Sequence, residues 1–107
     1  MRREPLKPGD VWMLDMGMAA KVRPALVLTA EPQDHEQALV TMVNHTTQVD
    51  SNNPWGVSIP KPWLKDGVFH MQQVGTFPLK YLVRKMGNLT PEEFAKVKLR
   101  LGLRLGM

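Results

Sequence analysis

Apolar and polar positions alternate in short runs along most of the chain, a pattern typical of β-strands. The runs that predict strands are 9–16, 24–30, 38–47, 55–59 and 68–74. The run 24–30 is almost continuously apolar, which indicates a strand buried on both faces. Turn-forming residues separate the runs, most clearly at 31–37 and 50–54. A further run, 78–82, fits either a short strand or a helical turn.

The C-terminal part of the chain begins with a helix-start pattern. Thr90 is an N-cap residue, Pro91 takes the first helical position, and Glu93 completes a capping box. The apolar residues that follow alternate as in a strand, but the cap favours a helix, in which they form two stripes. We expect the first stripe to cover the sheet: Phe94, Val97, Leu101 and Leu105. We expect the second to meet another subunit: Leu99, Leu103 and Met107.

Together these elements predict a mainly β protein with a C-terminal helix, folded as a small, partly open antiparallel barrel. A length of 107 residues predicts a single domain, 1–107. Because the chain has no cysteine, neither a disulfide nor a thiolate zinc site can stabilise it. No apolar run approaches the length of a membrane span, and the N-terminus has no signal-peptide core, so we expect a cytoplasmic protein with no membrane contact.

Charge is distributed unevenly along the chain. Residues 1–60 contain five Lys or Arg and seven Asp or Glu, a balance of −2, whereas residues 61–107 contain nine and three, a balance of +6. The net charge of +4 permits a nucleic-acid partner, and the C-terminal half would supply most of the attraction if its cations share a face. A solvated basic surface is the alternative.

Arg23 stands directly before Pro24 at the start of an apolar strand, an unusual place for a long cation. Proline fixes its own φ and biases the preceding residue toward extended geometry, so Arg23 should have a defined position. The simplest pairing of strands 24–30 and 38–47 sets Arg23 opposite His45, and a shift of one residue substitutes Asn44 or Thr46. In each case Arg23 meets polar residues at the end of the second strand.

A guanidinium beside hydroxyl, amide and imidazole groups is suited to binding a phosphate. The residues that could join Arg23 there are Asn44, His45, Thr46, Thr47 and Gln48. Two plainer interpretations remain open: Arg23 caps the strand in water, and His45 is a histidine without a chemical role. The spacing of His35, His45 and His70 does not make a metal cage, so we predict no metal and no cofactor.

Five segments in this order resemble the MazF/PemK-like toxin family: KPGDVWMLDM, KVRPALVLT, VNHTTQ, HMQQV and GNLTPEEFAKV. The resemblance spans nearly the whole chain. It implies a homodimeric SH3-like barrel, metal-independent cleavage of single-stranded RNA as an endoribonuclease, and a cognate antitoxin protein as partner. The family's functional Arg and Thr correspond to Arg23 and Thr46, and its Gln corresponds to Gln73, which we expect to support substrate binding.

The chain departs from the family pattern in the loop before Arg23. The family's Glu-Gln pair is missing, and the shorter segment GMAAKV has no acidic residue. Because arginine is a reluctant base, His45 is the best local replacement for proton transfer, and Thr46 would donate a hydrogen bond to a phosphate oxygen. Lys21 could add positive charge from the loop.

Two alternatives to an enzyme follow from the missing acid: a barrel that binds RNA or protein without hydrolysis, and a purely structural dimer partner. Trp12, Trp55 and Phe77 could stack on bases, although such residues in a small barrel commonly belong to the core.

Overall fold

The computed structural model describes residues 3–17 and 22–107. It contains six strands and one α-helix: β1 (Asp10–Leu14), β2 (Arg23–Val27), β3 (Leu39–Thr46), β4 (Gly56–Val57), β5 (Val68–Pro78), β6 (Leu82–Asn88) and α1 (Pro91–Arg104). A 3₁₀ turn, Leu79–Tyr81, joins β5 to β6. The sequence predicted no strand after 82, because the residues of β6 do not alternate between apolar and polar.

All pairings in the sheet are antiparallel, and the strand order is β4-β5-β3-β2-β1-β6. Within the described part of the chain no ladder joins β4 to β6, so the sheet is not closed into a barrel. The predicted mainly β fold with a C-terminal helix is confirmed, and "barrel" describes it only loosely.

The sheet is buried on both faces, because its central strands alternate between two apolar clusters. Leu26 and Val43 belong to one cluster, which also includes Val97 of α1. Ala25 and Met42 belong to the other. The predicted burial of both faces of the second strand is confirmed, since Ala25, Leu26 and Val27 are all fully buried.

Helix α1 begins as the sequence predicted. The Thr90 side chain accepts a hydrogen bond from the Glu93 backbone N–H at 3.2 Å, and the Glu93 carboxylate accepts one from the Thr90 N–H at 2.8 Å. The first stripe covers the sheet through Phe94, Val97 and Leu101. Leu105 was assigned to this stripe wrongly: it is 61% exposed, because the helix ends at Arg104 and Leu105 is only its C-cap.

The segment before β1 shows why the chain has Gly-Asp at this point. Gly9 has φ of +97°, a conformation that glycine adopts readily and that strains other residues. Asp10 is buried, accepts a hydrogen bond from the Lys7 N–H at 3.1 Å, and lies 3.5 Å from the Lys85 ammonium. This Gly-Asp pair therefore fixes the entry into β1. Among the described residues no helix has the length and apolar character needed to cross a membrane.

Candidate active site

A cavity lies where β2 and β3 separate. The β2–β3 ladder pairs Ala25 with Asn44 and ends there, so Arg23 and Pro24 lie beyond it. Beyond this point β3 is paired only with β5 on its other edge, where His45 lies opposite Phe69. Since Pro24 has no N–H, it cannot extend the ladder toward β3. The simplest predicted register is wrong by one residue, within the range that the sequence left open.

A cavity of about 470 Å³ occupies the gap between the two strands. It is lined by Arg23 and Pro24 from β2, by His45, Thr46, Thr47 and Gln48 from the end of β3, and by Met13, Val22, Trp63, Lys65, Arg84 and Met86. Arg23 is partly buried and Thr47 and Gln48 are exposed, so the cavity is reached from solvent at the strand ends. Its volume lies in the range typical of small-molecule sites, about 300–1,000 Å³.

The end of β3 is held in place by two local contacts. The Thr46 hydroxyl accepts a hydrogen bond from the Gln48 backbone N–H at 3.1 Å, which leaves the hydroxyl proton free for another acceptor. The loop before β5 approaches closely at Gly67, where an added Cβ would collide with the Thr46 carbonyl oxygen and lie 2.8 Å from His45 Cε1. The absence of a side chain at Gly67 therefore allows this loop to form a wall of the cavity.

His45 is the most deeply buried polar residue of the site, with 4% of its surface exposed. Its ring meets Phe69 edge-on, with centroids 4.9 Å apart and an interplanar angle of 70°. Within residues 3–17 and 22–107 neither ring nitrogen makes a hydrogen bond, and burial lowers the pKa of His45. The imidazole is therefore neutral near pH 7, the form that accepts a proton.

The charged side chains that line the cavity are positive. Arg23, Lys65 and Arg84 line it, no aspartate or glutamate does, and none of the three cations forms an ion pair with a described residue. Lys61, which does not line the cavity, does have an ion-pair partner: its ammonium lies 2.6 Å from the Glu93 carboxylate. Such a cavity favours an anionic ligand.

Arg23 also lines a second, more open hollow of about 430 Å³ with Asn44 and Gln73. The side-chain carbonyl oxygens of Asn44 and Gln73 are buried and have no hydrogen-bond partner within residues 3–17 and 22–107. Arg23 thus stands between two depressions, one against the end of β3 and one against Gln73 of β5.

The structure brings together most of the residues that the sequence singled out. Arg23, His45, Thr46, Thr47 and Gln48 share the first cavity, while Asn44 and Gln73 meet Arg23 in the second. Lys21 lies outside the described residues. Trp12 is buried core, and Trp55 and Phe77 are partly buried against the apolar clusters, so none of them lines the first cavity.

Sequence reasoning missed three residues that line the cavity and whose side chains could bind a ligand: Trp63, Lys65 and Arg84. Trp63 and Lys65 lie in a segment interpreted only as a connection, and Arg84 lies in the strand that was not predicted. The positive balance of residues 61–107 was the available signal, but it did not specify which cations share a face. Among the described residues no group of three or more His, Asp or Glu could hold a metal ion.

Comparison with known proteins decides the family. Residues 7–105 match the family model described as the PemK-like, MazF-like toxin of type II toxin–antitoxin systems. The chain belongs to this family. A search of curated proteins finds no match.

Solved MazF structures share the fold of this MazF-like protein. An endoribonuclease in complex with its cognate antitoxin from a mycobacterial species is 23% identical, with 97% of each chain covered and a TM-score of 0.79. MazF from Deinococcus radiodurans is 21% identical, with 97% of this chain and 99% of that chain covered and a TM-score of 0.80. The Mycobacterium tuberculosis toxin MazF-mt6 is 19% identical, with 92% and 97% covered and a TM-score of 0.68.

Proposed function

We propose that this MazF-like protein is a metal-independent endoribonuclease that cleaves single-stranded RNA in the cavity at Arg23. The observation that supports this most is the Arg23 guanidinium, which has no ion-pair partner among the described residues and shares one cavity with an imidazole and a threonine hydroxyl but with no described carboxylate. The family match and the endoribonuclease among the similar structures point the same way.

In the proposed reaction the 2′ oxygen of a ribose attacks the adjacent phosphorus. The 2′ O–H proton passes to a base, the P–O5′ bond breaks, and the products are a 2′,3′-cyclic phosphate and a 5′ oxygen that takes up a proton. Arg23 neutralises the charge that develops on the non-bridging oxygens, and Thr46 donates its free hydroxyl proton to one of them. Asn44, Thr47, Gln48 and Gln73 are the proposed substrate-binding residues beside this centre, with Lys21 adding charge.

His45 is the proposed base. Its lowered pKa keeps the imidazole neutral at the pH at which it has to accept the 2′ proton. This assignment gives the proton-transfer role to β3, because the loop segment GMAAKV has no carboxylate to perform it.

A cleavage assay with purified protein and a mixed-sequence RNA, run with excess EDTA, tests the proposal. We expect cleavage with EDTA present and new 5′ ends that a polynucleotide kinase labels without prior phosphatase treatment, because the products have 5′ hydroxyls. RNA that is retained but left intact would contradict the enzyme and support a binding module. RNA neither bound nor cut would support a structural partner.

We also propose two protein partners, a cognate antitoxin and a second copy of this chain in a homodimer. The similar mycobacterial endoribonuclease and one Deinococcus radiodurans MazF were solved with antitoxins. The second stripe of α1 remains uncovered, with Leu99 70% exposed and Leu103 54% exposed. Met107 was assigned to this stripe wrongly, because α1 ends at Arg104; it is 90% exposed beyond the helix. Apolar side chains clustered at this exposure are typical of an interaction surface.

The homodimer is tested by the mass of the protein in solution. We expect the unmodified chain to elute as a dimer in size exclusion with light scattering, and Leu99→Lys combined with Leu103→Lys to lower the mass to that of a monomer. Lys96→Gln combined with Lys98→Gln is the matched control on the same helix. A double-lysine variant that remains a dimer would place the dimer contact elsewhere.

A further inference from the structure

The cavity has a second wall that the proposed reaction does not use. Trp63 and Lys65 come from the connection between β4 and β5, and Arg84 and Met86 come from β6. An aromatic ring and two cations thus face the same space as Arg23.

The backbone of β6 determines where the Trp63 ring can lie. An added Cβ at Gly87 would come within 2.5 Å of Trp63 Cζ2 and 2.6 Å of Cε2, so the ring lies against a residue that has no side chain. Trp63 packs on the Val97-containing apolar cluster but stays partly exposed, and it lines the cavity. The ring is therefore held from one side and accessible from another.

The cations of this wall contrast with their neighbours along the chain. Lys85, adjacent to Arg84, lies 3.5 Å from the Asp10 carboxylate, and Lys61, near Lys65, pairs with Glu93. Lys65 and Arg84 are exposed and have no ion-pair partner among the described residues. Of these four cations, the two that line the cavity are thus the ones without an ion-pair partner among the described residues.

We propose that Trp63, Lys65 and Arg84 form a nucleotide subsite beside the scissile phosphate. Trp63 stacks on the base of a nucleotide that flanks the cleaved bond, and Lys65 and Arg84 neutralise the adjoining phosphates. Aromatic stacking accepts any base, and permanent cations suit the phosphate backbone, so this wall binds the strand without reading a particular base. The subsite rests on the proposed function and adds the part of the substrate that lies beyond the reacting phosphate.

Binding of a strand that cannot be cleaved tests the subsite separately from the reaction. The probe is mixed-sequence single-stranded RNA with fluorine in place of each 2′ hydroxyl, followed by fluorescence anisotropy over a range of salt concentrations. We expect Trp63→Leu to weaken binding about tenfold to a hundredfold with little change in the salt dependence, and Trp63→Phe to restore most of the affinity. Trp55→Leu is the matched control, because Trp55 does not line the cavity.

In contrast to Trp63, Lys65 and Arg84 should affect the salt dependence of binding. Lys65→Gln and Arg84→Gln should each reduce the slope of log affinity against log salt concentration by about 0.7, the change expected for one lost phosphate contact on a single strand. Lys61→Gln and Lys85→Gln, whose lysines are paired with carboxylates, should leave the slope unchanged. Because Lys65 and Arg84 are exposed, these variants also serve if Trp63→Leu fails to fold.

The outcomes separate the subsite from the reaction. Normal binding by Trp63→Leu with unchanged slopes for Lys65→Gln and Arg84→Gln would overturn the subsite, as would failure of the wild type to bind the probe. In that case an acidic segment of a protein partner becomes the better occupant of this wall. Binding with the expected changes but no cleavage of ordinary RNA would support the subsite and overturn the proposed endoribonuclease.

Discussion

Two arginines of this chain have opposite surroundings. Arg3, near the N-terminus, donates two parallel hydrogen bonds to the Glu31 carboxylate, both at 2.9 Å. The hydrogen bond with Glu31 raises the pKa of Arg3, and the same carboxylate accepts the Leu6 backbone N–H at 2.8 Å. Within the described part of the chain Arg23 has no ion pair, and no acidic residue lines its cavity.

The difference shows what each cation contributes. The Arg3–Glu31 pair joins the N-terminal segment to the loop after β2, so its charge is satisfied within the protein. Arg23 is held at a strand end by Pro24, and no described residue neutralises its charge, which leaves the guanidinium available to an anion. Arg3 should therefore act on stability, and Arg23 on activity.

The largest expected effect is that of Arg23→Ala. Cleavage of RNA should fall a hundredfold or more, as when a charge-stabilising donor is removed from an enzyme, while the free energy of unfolding changes by less than about 0.5 kcal/mol. Arg3→Ala is the matched control. It should retain the cleavage rate but lose up to about 1 kcal/mol of stability, a small value because the Arg3 and Glu31 side chains are 26% and 36% exposed.

Urea unfolding and single-turnover cleavage measured on both variants provide the two readouts. If Arg23→Ala cleaved at the wild-type rate, Arg23 would be an ordinary strand-end cation and the proposed mechanism would fail. A loss of activity in Arg3→Ala beyond its loss of folded protein would mean that the two regions are coupled.

Two glycines extend the comparison to the backbone. Gly67 lies in the loop that carries Lys65 and has no room for a Cβ, so Gly67→Ala must push this loop away from Thr46 and His45 and should cost about 1–3 kcal/mol. Gly102, inside α1, has nothing within 4 Å of an added Cβ. Gly102→Ala should stabilise the protein by about 1 kcal/mol, since alanine favours the helix.

Thermal melts of Gly67→Ala and Gly102→Ala show whether each substitution lowers or raises stability. Cleavage assays show whether activity depends on the position of the loop. Gly67→Ala should lose activity in addition to stability, because the loop that carries Lys65 is pushed away from His45 and Thr46. Equal stability changes in the two variants would mean that the wall at Gly67 adapts without cost, and the packing argument for the cavity would be wrong.

The sequence was sufficient to predict the core strands and the helix start. Alternation and apolar runs locate strands wherever one face or both faces are buried, and the Thr90 capping box is a local pattern that needs no tertiary information. The sequence did not predict β6, because its partner β1 is far away in sequence and its own residues do not alternate between apolar and polar. The exposed C-terminal end of α1 shows the same limit, since periodicity alone did not reveal that Leu105 follows the last turn.

The candidate site also has a part that the sequence predicted and a part that it did not. Arg23 and His45 were brought together by a hairpin, whose register depends on nearby residues and was predicted to within one position. Trp63, Lys65 and Arg84 reach the cavity from β6 and from a long connection, so their proximity is a product of the whole sheet. The deep burial of His45 was also beyond sequence reasoning, because Phe69 and the approach at Gly67 create it.

The smallest expected effect is the dependence of stability on pH, which tests His45. Burial lowers the pKa of His45 in the folded protein below the value of about 6.5 expected in the unfolded chain. As pH falls below that value the unfolded state binds a proton more readily, so stability should be fully present above about pH 6.5 and decline toward the folded pKa. If neutral His45 is the base, the cleavage rate should decline at lower pH, as the pH approaches and passes the lowered pKa of His45 in the folded protein.

Urea unfolding and cleavage between about pH 8 and pH 5 measure both effects, with His45→Gln and the exposed His35→Gln compared with the wild type. His45→Gln should show a weaker acid loss of stability and little cleavage, and His35→Gln should follow the wild type. A flat cleavage rate together with an acid loss of stability would make His45 a buried structural histidine. Arg23 and Thr46 would then keep their proposed roles at the phosphate, and the base would have to be a group other than His45 and other than the loop before β2, whose segment GMAAKV has no carboxylate.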